Sequence, residues 1–199
     1  MNDMPHAPAT LRNREPIADK LALYWGSKKN KIFEIGSGTG EHGVFFGERF
    51  SQWTWVFSDR EDNHPGIVAW RKHSGRSNMQ GPVLFTMGKD SISESEVTGV
   101  YTANTFHIAA WDEVCAGIAS VGEALLPGQF FIIYGPFNYE GQFTSESNRE
   151  FDQSLKARDE KMGIRDFEEV CTVMQSAGFD LKHDHEMPAK NRLLVFEKI

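Results

Sequence analysis

The sequence predicts an α/β fold of three layers: a mostly parallel sheet with helices on both faces and an antiparallel strand pair at its C-terminal end. Three observations predict it. Short apolar runs alternate with helical patterns from Ile17 to Tyr134, which implies parallel strands covered on both faces. A glycine-rich stretch, Gly36-Ser37-Gly38-Thr39-Gly40, stands between the first apolar run and the helical pattern after it. Such a loop lets a ligand approach the backbone, and the helix start behind it offers unpaired N–H groups. The last two strand-like runs, Phe179 to Met187 and Leu193 to Lys198, are joined by Pro188 to Arg192, too short for a parallel crossover.

Each element follows from its own pattern. Residues 1–15 are polar and Pro-containing and read as an N-terminal arm. Pro16 suits a first helical turn, and Ile17, Leu21 and Tyr24 then recur on one face. Lys31 to Ile35 reads as the first strand, Glu41 to Phe50 as a helix, Trp53 to Ser58 as the second strand and Pro65 to Lys72 as a helix. Val83 to Phe85 and Val97 to Asn104 read as the third and fourth strands. A helix from Trp111 to Leu126 stops at Pro127-Gly128, and Gln129 to Tyr134 is the fifth strand. The polar stretch 136–166 reads as a lid with a helical segment near Ser147 to Arg158. Asp166-Phe167-Glu168-Glu169 resembles a capping box and opens a helix that ends at Gly178. With no repeat or linker, the 199 residues read as one domain.

Composition narrows the partners. Hydrophobic residues make up 40% and charged residues 25%, as in soluble globular chains. A net charge of −7 repels phosphate backbones, so no nucleic-acid partner is expected. No apolar run approaches the roughly 20 residues that span a bilayer, and the first residues lack a signal-peptide core. No membrane partner is expected and a cytoplasmic location is. Cys115 and Cys171 lie far apart within helical patterns and read as buried thiols without zinc spacing. His183 and His185 alternate with acids on one strand face; with no third ligand in register, no metal site is expected.

Two fingerprints fit the glycine stretch. Gly36, Gly38 and Gly40 make G-x-G-x-G with Glu34 two residues upstream, which suggests S-adenosylmethionine. Gly38, Gly40 and Gly43 make G-x-G-x-x-G, which suggests NAD(P) and an oxidoreductase. A dinucleotide already carries an anionic pyrophosphate and needs no acid at Glu34; a ligand with an ammonium group has a use for one. Asp59, about twenty residues beyond the glycines, can accept ribose hydroxyls in either reading. The C-terminal antiparallel pair is not predicted by a plain dinucleotide fold. A third reading keeps the fold and the cofactor pocket without a reaction.

The chain resembles the class I S-adenosylmethionine-dependent methyltransferases, whose fingerprint is E/D-x-G-x-G-x-G. More narrowly it resembles the methyltransferase-like domain-of-unknown-function 938 family, over nearly its whole length. The resemblance rests on Arg12-Asn13-Arg14-Glu15-Pro16-Ile17, Ser37-Gly38-Thr39-Gly40 with His42, and Ser58-Asp59. It continues through Ala103-Asn104, His107-Ile108, Tyr134-Gly135-Pro136-Phe137, Gly163-Ile164-Arg165-Asp166 and Met187-Pro188-Ala189. Gly36, Glu41 and Lys190 depart from it, standing where alanine, glutamine and asparagine are common. It implies a Rossmann-like, seven-stranded methyltransferase sheet, S-adenosyl-L-methionine as cofactor and a small-molecule methyl acceptor. It sets neither the acceptor nor the oligomeric state.

Methyl transfer needs alignment, exclusion of water and removal of a proton, at the carboxyl ends of the strands. The expected cofactor residues are therefore Glu34, Gly36, Ser37, Gly38, Gly40, Asp59, Asp90 and Asn104. Asp59 is assigned to the ribose, Glu34 to the ligand ammonium and Asp90 to the adenine amine. Asn104 and His107, at the end of the fourth strand, are the catalytic candidates: an amide that orients the acceptor and a base that takes its proton. Arg12, Asn13, His42, Tyr134 and Phe137 are the substrate-binding candidates, with Arg158 and Arg165 as further anion contacts in the lid.

Overall fold

The computed structural model describes residues 4–199. The first three residues of the expected arm lie outside the described residues. Helix α1 runs from Pro8 to Trp25, eight residues earlier than Pro16 suggests. Thr10 and Asn13 extend the buried stripe of Ile17, Leu21 and Trp25 toward the N-terminus, so burial carries the helix through Pro16. The carbonyl that Pro16 leaves unpaired belongs to Arg12, an exposed residue within reach of water. Most of the arm is thus helix.

The remaining elements are β1 (Asn30–Ile35), α2 (Glu41–Arg49), β2 (Trp53–Asp59), α3 (His64–Ser74), β3 (Met79–Leu84), β4 (Gly99–Ala103), α4 (Trp111–Ala124), β5 (Phe130–Gly135), β6 (Phe137–Asn138), α5 (Glu146–Arg158), β7 (Arg165–Asp166), α6 (Phe167–Ser176), β8 (Phe179–Glu186) and β9 (Arg192–Lys198). Seven strands form one sheet in the order β3-β2-β1-β4-β5-β9-β8; β6 and β7 form a separate pair. β9 pairs antiparallel with β5 and β8. This is the mostly parallel, seven-stranded α/β sheet with an antiparallel C-terminal pair that the sequence predicts.

The chain packs as two compact units. The first runs to Thr86 and includes Glu94–Thr102. Its central strand β1 pairs in parallel with β2 and β4, and β2 pairs with β3. Phe46, Trp53, Trp55 and Tyr101 are fully buried beside this sheet, each burial worth several kcal/mol by area, about 25 cal/mol per Å². β3 is longer than expected because Gly81-Pro82 reads as a break. On an edge strand a proline N has no ladder bond to lose.

The second unit comprises Met87–Ser93 and Ala103–Ile199. Its core gathers Phe131, Ile133, Val170, Phe179 and Leu194 between β5, β9, β8 and α6. Asp166 caps helix α6, its side chain accepting the N–H of Glu168, the second helical residue, rather than that of Glu169 as in a capping box. Cys115 and Cys171 lie in α4 and α6 and are half-buried rather than buried. The 136–166 stretch holds α5 and the strands β6 and β7. Two-residue strands are too short for any periodicity to show.

Candidate cofactor and acceptor sites

In the first unit the glycine loop leaves β1 at Ile35. Gly36, Gly38 and Gly40 all have positive φ (71°, 56° and 87°), which explains glycine at each. The loop is tied to β2 by a reciprocal pair: the Ser37 N–H donates to the Ser58 carbonyl at 2.9 Å, and the Ser58 N–H donates to Ser37 Oγ at 3.1 Å. The Gly38 N–H donates to Asp59 Oδ2 at 2.7 Å. Asp59 Oδ1 accepts the Arg60 N–H at 2.7 Å and the Asn63 amide at 2.9 Å. The carboxylate is thereby fixed at the carboxyl end of β2 with lone pairs left for a ligand. A Cβ built on Gly38 meets nothing within 4 Å, so this side of the loop is open. A Cβ on Gly40 would come 2.9 Å from the Ile67 Cα, so Gly40 is needed for packing against α3.

Glu34 is placed differently from the expectation. It is 2% exposed, and its carboxyl accepts the Trp55 indole N–H at 2.9 Å. Burial pushes its pKa up to about 7 against the hydrogen bonds from Trp55 and Ser37. The carboxyl lies beneath α2, where a Cβ on Gly43 would come 2.7 Å from Glu34 Oε2, and it braces the loop instead of facing its open side. Gly43 is itself explained by this close approach, with no pyrophosphate needed.

At the start of α2, His42 Nε2 donates to Asn13 Oδ1 at 2.7 Å; an amide oxygen cannot donate, so Nε2 carries the proton. Burial, helped by the Arg14 charge, lowers the His42 pKa to about 4. Asn13 is buried and Arg12 is exposed, both inside α1. Arg14, which no motif singles out, packs over the Phe45 ring at 4.7 Å.

In the second unit, Asn104 stands just beyond β4 with φ 56°, a conformation asparagine tolerates better than most residues. Its N–H donates to the Tyr134 carbonyl at 2.8 Å. Asn104 Oδ1 and His107 Nδ1 each lie 3.9 Å from the point where a Cβ on Gly135 would stand. The two catalytic candidates are therefore brought together over a glycine. His107 is 6% exposed and meets the Phe151 ring edge to face at 5.2 Å. Burial, helped by the Arg165 charge, lowers its pKa to about 4, so the imidazole is neutral at pH 7.

Arg165 holds the loop that carries His107. Its guanidinium donates to the carbonyls of Phe106 (2.9 Å) and Lys161 (2.8 Å) and to that of Ala109. The expected anion contact is thus spent on backbone. Arg158 is exposed. Tyr134 is 2% exposed, and its hydroxyl accepts the Asn191 amide at 2.9 Å, which ties β5 to the β8–β9 turn. Phe137 is 1% exposed and packs as core. Asp90 is exposed, in a segment that lies against α4 through Gly88 and Glu113. His183 and His185 stack at 5.3 Å on one face of β8, and no group of three metal-ligating side chains occurs among the described residues.

The fold is that of the class I methyltransferases. The chain belongs to the family described as protein of unknown function (DUF938), whose model matches residues 4–198. Among solved structures it is similar to an O-methyltransferase family 2 protein from Planctomyces limnophilus DSM 3776 in complex with apigenin. The TM-score is 0.85 at 14% identity, covering 96% of this chain and 58% of that one. It is also similar to the mitomycin 7-O-methyltransferase MmcR (TM-score 0.83, 12% identity, 96% of this chain and 54% of that one). A third is the O-methyltransferase NcsB1 of neocarzinostatin biosynthesis, in complex with S-adenosyl-L-homocysteine and 1,4-dihydroxy-2-naphthoic acid. There the TM-score is 0.79 at 13% identity, covering 96% of this chain and 55% of that one. The chain thus spans a little over half the length of these neighbours. No helix among the described residues is long and apolar enough to cross a membrane.

Proposed function

We propose that the chain is an S-adenosyl-L-methionine-dependent methyltransferase whose acceptor is a small molecule bearing a hydroxyl group. The observation that carries the reading is antiparallel β9, inserted between β5 and β8 in a sheet whose β1 feeds the glycine loop. A plain dinucleotide fold has no such strand, and Gly43 is accounted for by packing against Trp55, Phe57 and Glu34. The site fits the cofactor: three positive-φ glycines open at Gly38, with a fixed Asp59 carboxylate that has lone pairs left for ribose hydroxyls. The bound cofactor supplies an electrophilic methyl group on a sulfonium. Asn104 orients the acceptor through its amide, and the neutral His107 imidazole takes the hydroxyl proton as the oxygen becomes nucleophilic. The structural neighbours, O-methyltransferases acting on small molecules by their names, support the same chemistry.

Thermal melting tests the reading. S-adenosylhomocysteine at 100 times its dissociation constant adds about 2.7 kcal/mol. For a chain of this size that raises Tm by about 5–10 °C. A rise with NAD or NADP and none with S-adenosylhomocysteine contradicts it.

A further inference from the structure

Two arginines packed on α1 and α2 are treated in opposite ways. Arg49 lies between the carboxylates of Glu15 and Asp19, the latter at 2.6 Å. Arg14, part-buried on α1, has no carboxylate within ion-pair distance and no hydrogen-bond partner among the described residues, and its Nε is out of reach of solvent. Its Cζ lies 4.7 Å from the centre of the Phe45 ring, and that ring offers the guanidinium no oxygen acceptor. A part-buried cation with open donors is costly unless an anion completes it.

Two further groups belong to the same place. Asn13 turns its amide oxygen to His42, which leaves its Nδ2 donors without a partner among the described residues. His42, in the first turn of α2 two residues beyond Gly40, feels the Arg14 charge. We infer that Arg14, with Asn13 and His42, forms a recognition site for a carboxylate beside the glycine loop. A single guanidinium matches one negative charge. A phosphate dianion would leave a second charge unmatched there. The carboxylate belongs either to the amino-acid part of the cofactor, which rests on the methyltransferase reading above, or to the acceptor.

Calorimetry and NMR on the full chain separate these sources. The comparison is wild type against Arg14→Met, which keeps the stem over Phe45, with S-adenosylhomocysteine and with 5′-methylthioadenosine, which lacks the amino-acid part. A loss of roughly ten- to a hundredfold in affinity for S-adenosylhomocysteine, with none for 5′-methylthioadenosine, assigns the site to the cofactor carboxylate. If both affinities hold, benzoate is titrated in the presence of S-adenosylhomocysteine. Movement of the His42 ring resonances in wild type but not in Arg14→Met assigns the site to an acceptor carboxylate. Equal losses for both nucleosides, no response to either carboxylate, or an equal response to inorganic phosphate overturns the proposal. If wild type does not bind S-adenosylhomocysteine, the methyltransferase reading fails, and the benzoate titration without nucleoside still decides the site. Wild type also serves alone: a carboxylate bound at Arg14 raises the pKa of His42, and an unchanged His42 titration with bound ligand overturns the proposal.

Discussion

Asp59 at the end of β2 and His107 beyond β4 are both candidates for chemistry, and the fold treats them differently. The Asp59 carboxylate accepts three hydrogen bonds from its own chain, one of them from the glycine loop. The His107 imidazole has no hydrogen-bond partner among the described residues, and it is held through its main chain by Arg165 and by the Gly163 N–H on its carbonyl. The difference suits two tasks. A cofactor site gains from groups whose position is fixed before the ligand arrives. A base must keep a lone pair free for the acceptor's proton, so its orientation has to come from the backbone.

The largest expected effect breaks the acceptor side alone. His107→Ala should lower turnover by about 10²–10⁴-fold, the usual worth of a positioned base. Transfer of a radiolabelled methyl group to a phenolic acceptor measures it. Turnover equal to wild type would remove His107 from the chemistry.

The next effect concerns the group beneath the loop. Glu34 titrates at about 7 in the fold against an ordinary value of 4.5. Between those values the folded chain keeps a proton that the unfolded chain has released. Wild-type stability therefore falls as pH rises from about 4.5 to 7 and levels off above that. Glu34→Gln cannot lose a proton, so its stability relative to wild type should climb over the same window, by up to about 3 kcal/mol. Urea unfolding at several pH values checks this; a difference independent of pH would mean that Glu34 is ionised in the fold.

A smaller effect sharpens the account of Gly43. Gly43→Ala puts a methyl 2.7 Å from Glu34 Oε2 and as close to the Phe57 and Trp55 rings. Overpacking of this kind should cost about 1–3 kcal/mol without changing nucleotide preference. If Gly43 served a dinucleotide, NAD binding would be present in wild type and lost in the variant.

How far the sequence could be read follows from where the signals are local. The strand–loop–helix at Lys31 to Phe50 is legible because glycine spacing and apolar runs are short-range features. Asn104 and His107 are legible as a pair because they stand three positions apart in one loop. The start of α1 is not, because Pro16 looks like a boundary and only tertiary burial of Thr10 and Asn13 overrides it. Glu34 shares a spacing with acids that face a ligand, but the direction of its carboxyl is set by Trp55, on another strand. Arg165 and Asn191 act through carbonyl and hydroxyl partners distant in sequence, which no motif encodes. Arg14 is not legible beside Arg12 because side-chain direction on a helix depends on where the helix begins, and Pro16 suggests a later start.

The central claim is that the cofactor is held by the glycine loop and Asp59, independently of the residue that takes the proton. Calorimetric titration of S-adenosylhomocysteine into wild type, Asp59→Ala and His107→Ala tests it most directly. His107→Ala should bind as wild type does, and Asp59→Ala should lose about 1.5–3 kcal/mol of binding free energy, the worth of hydrogen bonds to a charged acceptor. Unchanged affinity in Asp59→Ala, or an equal loss in His107→Ala, would contradict it.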